Sequence, residues 1–125
     1  MTATARVDGT PARPGATVTA VLSVAIAAPF HVAAPLIGVT LSSDLKLDAG
    51  EAQISEPTLA KLAFDDAPSR IHEGRLEVRV PLHVRADAPP GSGKIRIGIR
   101  YQACDDRRCL APAEIAAEAE LTIAP

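Results

Sequence analysis

The chain has 125 residues, which suits one domain with a hydrophobic core, and 47% of them are hydrophobic. Its aromatic residues are only Phe30, Phe64 and Tyr101, so the core must consist of Val, Ile, Leu and Ala. The 13 Lys and Arg residues nearly balance the 15 Asp and Glu residues, which gives nucleic-acid binding no electrostatic support. The longest apolar run, residues 20–29, is too short to cross a bilayer, so we expect no membrane insertion of this domain.

Residues 10–15 include two prolines and a glycine, which predicts an entry loop with a mobile tail before it. We expect residues 1–13 to form a flexible N-terminal tail and residues 14–125 to form the domain. Residues 1–15 also lack a positively charged segment followed by an apolar one, so they are not expected to be a signal peptide. From the residues alone, we expect the chain to be either cytosolic or a domain of a longer exported precursor.

Short runs of alternating apolar and polar side chains follow, separated by Pro and Gly turns. The predicted strands span residues 16–28, 37–47, 75–85, 94–103 and 114–123. Pro81 falls inside the third run, which indicates an edge strand or a bulge there. With no convincing helix, the pattern predicts an all-β fold, an antiparallel sandwich of two sheets.

Cys104 and Cys109 enclose four residues between two of the predicted strands. A hairpin loop of four residues would place them opposite each other, with Cβ atoms about 4.5–5.5 Å apart and within reach of a disulfide. Continued alternation gives Cys104 the outward parity of Arg100, so we expect its sulfur on the outer, solvent-reachable face. In the final strand the inward side chains are odd-numbered, as Ile115 is, yet Cys109 is also odd-numbered and should point outward with Cys104. One extra residue must therefore lie between Cys109 and Ile115, and Pro112 is the natural place for that bulge.

A bridge across so short a loop removes little chain entropy, and a surface disulfide can be reached by the thiol of another protein. Both features favour exchange, while a purely structural bridge remains an open alternative. A metal site is disfavoured because only two thiolates are available where structural zinc takes four ligands. We expect His31, which lies between two prolines, to make a local hydrogen bond rather than to bind metal.

The sequence Tyr101-Gln102-Ala103-Cys104, followed by Cys109-Leu110-Ala111-Pro112, resembles the "YQ-C … C-x-P" signature of a known family. That family is the N-terminal periplasmic domain of DsbD, the thiol:disulfide interchange protein. The segment Phe30-His31-Val32 and the turn Ala88-Pro89-Pro90-Gly91 also follow the family's order of elements, and the resemblance covers roughly Pro14 to Ile123.

The resemblance implies an immunoglobulin-like antiparallel β-sandwich with the active cysteines on a hairpin at one end. It implies a periplasmic location, as the exported domain of an inner-membrane protein whose signal peptide is absent from this chain. Electrons would arrive from a membrane-embedded domain through a thioredoxin-like domain of the same larger protein. They would leave to thioredoxin-fold proteins such as disulfide isomerases or cytochrome c maturation factors. No cofactor is implied, and the isolated domain is expected to be a monomer.

The resemblance also implies roles for individual residues. Cys109 would attack the partner's disulfide, Cys104 would resolve the mixed disulfide, and Tyr101, Gln102 and Pro112 would support the motif. By position, the family's shielding cap loop falls on Phe64, Asp65 and Asp66.

Two other functions fit the same residues. The first is a non-catalytic immunoglobulin-like binding or spacer domain with a structural disulfide. The second is a copper-stress relative of DsbD, which would keep the fold and use other partners.

Overall fold

The computed structural model describes residues 1–60 and 68–125, and the regular elements in these ranges are β-strands. In chain order they are β1 (Thr2–Asp8), β2 (Thr17–Ala25), β3 (His31–Ala33), β4 (Gly38–Ser43), β5 (Leu47–Ala49), β6 (Gln53–Ile54), β7 (Thr58–Ala60), β8 (Ser69–His72), β9 (Arg75–Val84), β10 (Gly91–Tyr101), β11 (Ala103–Cys104) and β12 (Ala113–Ile123). The fold is an all-β, immunoglobulin-like antiparallel sandwich, as expected. Across residues 1–60 and 68–125, no helix has the length and apolar character needed to cross a bilayer.

Two sheets form the sandwich. One has the order β1-β2-β9-β5, with β6 also paired to β9, and the other has the order β12-β10-β4. The alternation predicted for β9 and β10 is confirmed, because their apolar residues are buried between the sheets while the arginines between them are exposed. The side chains of the core that these two strands supply are Leu76, Val78, Val80, Leu82, Val84, Ile95, Ile97 and Ile99.

A third sheet, with the order β11-β3-β8-β7, lies at one end of the sandwich. Three of its four strands are next to long strands of the sandwich in the chain: β3 follows β2, β8 precedes β9, and β11 follows β10. Because β11 pairs with β3 and β3 with β8, these three segments converge at the same end. This end sheet carries the first cysteine.

The prediction of a flexible tail over residues 1–13 is wrong for residues 2–8. These residues form β1, which pairs with β2 from Thr2↔Ala25 to Asp8↔Thr19. The alternation of Ala and Val with Thr and Arg in this segment is a strand pattern, but its small alanines gave too weak a hydrophobic signal. Its pairing covers the edge of β2, and Val7 joins the core.

Two of the predicted strands differ in detail from the observed ones. The run 37–47 divides into β4 and β5, which belong to different sheets, with the Ser43 hydroxyl accepting a hydrogen bond from the backbone N–H of Leu45 between them. The edge-strand interpretation of Pro81 is wrong, because β9 pairs with β2 on one side and with β5 and β6 on the other. Pro81 lies in the gap between the β6 and β5 pairings, where the ladder on that side is interrupted.

Candidate functional site

The two cysteines lie opposite each other at the end sheet. Cys104 ends β11 and forms an antiparallel bridge with Cys109, and the two are joined by a disulfide with their Cα atoms 3.9 Å apart. The prediction that a four-residue loop sets them face to face is therefore confirmed. The hairpin gives the domain one pair of adjacent sulfur atoms.

Asp105 fixes the shape of the loop between the cysteines. Its backbone N–H donates to the carbonyl of Arg108 at 2.9 Å. Its Oδ1 accepts hydrogen bonds from the backbone N–H groups of Arg107 at 2.8 Å and Arg108 at 2.9 Å. These two donors hold the pKa of the Asp105 carboxyl below its ordinary value. A short Asp side chain that bonds the backbone ahead of it is typical of a tight turn.

The residues before and after the cysteines tie the hairpin to the domain. The backbone N–H of Leu110 donates to the carbonyl of Ala103 at 2.8 Å, and Gln102 Nε2 donates to the carbonyl of Leu110 at 3.2 Å. The carbonyl of Gln102 in turn accepts from the N–H of Ala33 on β3 at 3.0 Å. Gln102 thus links β3 to the outer arm of the hairpin, which gives this motif residue a positioning role.

The register contains the extra residue that the sequence requires. Tyr101 pairs with Ala113 on β12, while Cys104 bridges Cys109. Two residues separate Tyr101 from Cys104, but three separate Cys109 from Ala113, so the extra residue lies within 110–112. Pro112 belongs to this segment, is exposed and lies outside the strands.

The two cysteines differ in exposure, which corrects the expectation for Cys104. Cys104 is 2% exposed, whereas Cys109 is exposed at the surface. Alternation does direct the side chains of Cys104 and Ala103 to opposite faces of β11, and the cross-strand partner of Ala103, Val32, belongs to the core. The parity prediction missed that this face of β11 is buried too, so the exposed residue of the pair is Cys109.

His31 lies directly across from Cys104 in the pairing of β3 with β11. It is 3% exposed, and its Nε2 has no hydrogen-bond partner among the residues described, so the expected local bond is not made at this atom. His72 is buried on β8 opposite Val32, and burial lowers its pKa. His83 is exposed on β9.

An open groove of about 380 Å³ lies beside the hairpin. It is lined mostly by apolar side chains: Met1, Phe30, Tyr101, Ala103, Leu110, Glu114 and Ile115. Leu110, next to Cys109 in the chain, is 37% exposed. An approaching protein would therefore meet apolar surface adjacent to the accessible cysteine.

The predicted cap residues Phe64, Asp65 and Asp66 lie in the segment 61–67, outside the described residues. Arg107 and Arg108, at the tip of the hairpin, are exposed. In the part of the chain that the structure describes, no three His, Cys, Asp or Glu residues are grouped so that they could hold a metal ion.

The chain resembles several solved structures. The N-terminal periplasmic domain of ScsB from Proteus mirabilis matches with a TM-score of 0.56 and 11% identity, over 93% of this chain and 43% of that chain. The DsbD N-terminal domain of Neisseria meningitidis in the reduced form matches with a TM-score of 0.48 and 17% identity, over 84% and 77%. The seventh ScaB type I cohesin from Pseudobacteroides cellulosolvens matches with a TM-score of 0.50 and 11% identity, over 98% and 92%. No protein-family model matches the chain, and no curated protein sequence matches it.

The ScsB and cohesin likenesses, at 11% identity, establish the fold alone. The chain spans 43% of the ScsB structure's length. Because ScsB and a cohesin are different kinds of protein with this same sandwich, the function of this chain has to be argued from its cysteine hairpin.

We expect the order of the hairpin to depend on the ionisation of Asp105. Because the folded chain lowers the pKa of the Asp105 carboxyl, the ionised carboxylate stabilises the loop at pH values above the ordinary pKa of 3.8. This stabilisation is lost as the pH falls through the lower pKa of the folded chain. In an NMR titration, the amide signals of Arg107 and Arg108 should shift with a midpoint below 3.8. The Asp105→Asn variant, which keeps an acceptor oxygen, should abolish that titration. A midpoint at or above 3.8 would contradict the assigned hydrogen bonds.

Proposed function

We propose that this domain is a thiol–disulfide exchange module, a protein-disulfide reductase domain of a larger periplasmic protein. It carries two electrons at a time from a membrane-bound reductase to partner proteins through the reversible Cys104–Cys109 disulfide. The observation that supports this most strongly is the unequal exposure of the pair. Cys109 is exposed and Cys104 is 2% exposed, which gives the two sulfurs the different tasks that exchange requires.

In the reductive direction, the Cys109 thiolate of the reduced domain attacks one sulfur of the partner's disulfide. A bond forms between Cys109 Sγ and that sulfur, and the partner's other sulfur leaves as a thiolate. Cys104 then attacks Cys109 Sγ, which restores the internal disulfide and releases the partner's second thiolate. The domain loses two electrons and the partner gains them.

The hairpin suits repeated opening and closing of this bond. Its loop is short, so the bond itself adds little conformational restraint. The hydrogen bonds of Asp105, together with those from Leu110 to Ala103 and from Gln102 to Leu110, do not involve sulfur. These bonds can hold the two cysteines side by side after reduction, so that Cys104 remains in position for the second step.

We propose that the partners are thioredoxin-fold proteins of the disulfide isomerase or cytochrome c maturation type. A thioredoxin-like domain of the same larger protein then supplies the electrons that reduce the Cys104–Cys109 disulfide again. The apolar groove lined by Phe30, Tyr101 and Leu110 includes the residue that follows Cys109 in the chain, and it offers a partner a docking surface. A copper-stress relative of DsbD would use the same two steps with other partners.

The second candidate is a binding or spacer domain with a structural disulfide. The burial of Cys104 favours it, because buried sulfur is protected from exchange. A reduction potential below about −300 mV would support this second candidate, since such bonds resist reduction by glutathione.

Trapping of the intermediate tests the proposed function. The reduced Cys104→Ser domain, mixed with an oxidised thioredoxin-fold disulfide isomerase, should form a one-to-one disulfide-linked adduct because its accessible thiol is intact. The Cys109→Ser domain should form at least about tenfold less, since Cys104 is buried. Non-reducing electrophoresis and mass spectrometry measure both. No adduct with a verified free Cys109 thiol, or equal adducts from both variants, would count against the proposal.

Docking through the groove is tested with Leu110→Asn. A polar amide at this 37% exposed position should slow adduct formation with the isomerase by about tenfold, equivalent to about 1.4 kcal/mol. The rate with oxidised glutathione, which needs no docking surface, should stay within about twofold of the parent rate. Ile54→Asn, at a 38% exposed position outside the groove lining, is the matched control and should change neither rate. Equal slowing by both variants would contradict the assigned surface.

A further inference from the structure

Three side chains lie in one row across the end sheet. His31 is paired with Cys104 in the β3–β11 register, and Cys104 is bridged to Cys109. Directly opposed residues of antiparallel strands project from the same face, with Cβ atoms about 4.5–5.5 Å apart. Cys104 therefore has the exposed Cys109 on one side and the buried His31 on the other.

The imidazole of His31 has an unusual hydrogen-bonding state while the disulfide is closed. Its residue is 3% exposed, and within residues 1–60 and 68–125 its Nε2 meets no hydrogen-bond partner. A buried polar atom without a partner is unfavourable for folding, and such atoms in native proteins call for an explanation. A disulfide sulfur carries no proton to donate, whereas a reduced Cys104 would present an S–H group from the neighbouring position.

We propose that His31 Nε2 accepts a hydrogen bond from the Cys104 thiol in the reduced domain and takes the proton of that thiol in the second exchange step. The inference rests on the proposed function, because the second step exists only if the pair exchanges with a partner. It assigns to His31 a positioning and proton-accepting role beside the resolving cysteine. Among residues 1–60 and 68–125, the oxidised state gives Nε2 no hydrogen-bond partner, and the reduced state would supply one.

The step balances as follows. In the mixed disulfide, Cys109 Sγ is bonded to a partner sulfur and Cys104 carries its proton. The proton passes from Cys104 Sγ to His31 Nε2, and Cys104 Sγ attacks Cys109 Sγ as that bond to the partner breaks. The partner sulfur leaves as a thiolate, and the imidazolium proton is then released to it or to water. The Cys104–Cys109 bond forms, and the partner becomes fully reduced.

Four other charged or titratable side chains near the hairpin are less suited to this role. The Asp105 carboxylate already accepts two backbone N–H groups and lies in the loop beyond the bridge. Arg107 and Arg108 are exposed and have no proton-accepting atom. His72 pairs with Val32 rather than with His31, so alternation directs it to the opposite face of the end sheet.

The kinetic test uses the full chain with His31→Leu and His31→Gln, and with His72→Gln as the matched control. Each reduced protein is mixed with excess oxidised disulfide isomerase, the reaction is acid-quenched, and adduct formation and decay are followed separately. Formation should stay within about twofold for all variants, because Cys109 performs that step. Decay should slow by about tenfold or more in both His31 variants, since neither Leu nor the Gln amide accepts a proton, and should be unchanged in His72→Gln.

The outcomes separate the two proposals. If the parent domain forms no adduct, the proposed exchange function fails. If adducts form and decay at the parent rate in both His31 variants, exchange stands and the role of His31 is overturned. Equal slowing of decay by His72→Gln would also overturn it, because the effect would then be a general loss of packing.

A spectroscopic measurement on the unsubstituted chain serves where a His31 variant fails to fold. The ¹⁵N signals of the three imidazole rings are compared between the oxidised and the reduced protein. We expect the Nε2 signal of His31 to move on reduction as it gains the Cys104 thiol as a partner, while the signals of His72 and His83 stay in place. An unmoved His31 signal would overturn the inference without bearing on adduct formation.

Discussion

The antiparallel pairing of β11 with β3 is the constraint on which the site depends. It draws Ala103 and Cys104 away from β10 and into the end sheet, where Cys104 is 2% exposed. After a turn of four residues, Cys109 lies directly across from Cys104 and is exposed. One short ladder therefore produces two sulfurs that are adjacent and chemically unequal, which is the condition for directed exchange.

The sandwich contributes rigidity at the base of this hairpin. Three long strands, β2, β9 and β10, are buried along one face and bring their ends to the same side of the molecule. The hairpin is held to them by backbone hydrogen bonds and by Gln102, so its geometry does not depend on the disulfide alone. A stable frame with a lightly restrained bond at its rim suits a bond that, under the proposed function, opens repeatedly.

Residue alternation was sufficient to predict the sandwich, since the period of two in residues 75–85 and 94–103 survives in β9 and β10. The spacing of Cys104 and Cys109 was sufficient to predict the bridge. The burial of Cys104 was not predictable in this way, because the ladder changes partner at Gln102 and burial depends on other segments covering β11. The role of Asp105 had a local signal, an Asp at the start of a tight turn, whereas the pairing of His31 with Cys104 joins residues 73 positions apart and required the structure.

Competitive alkylation of the reduced, unsubstituted chain tests the inequality of the two sulfurs most directly. The protein is exposed to a limiting amount of iodoacetamide at neutral pH, and peptide mass spectrometry quantifies each modified cysteine over time. Cys109 should be modified faster than Cys104 by about tenfold or more, because it alone is exposed. Equal rates, or faster modification of Cys104, would contradict the central claim.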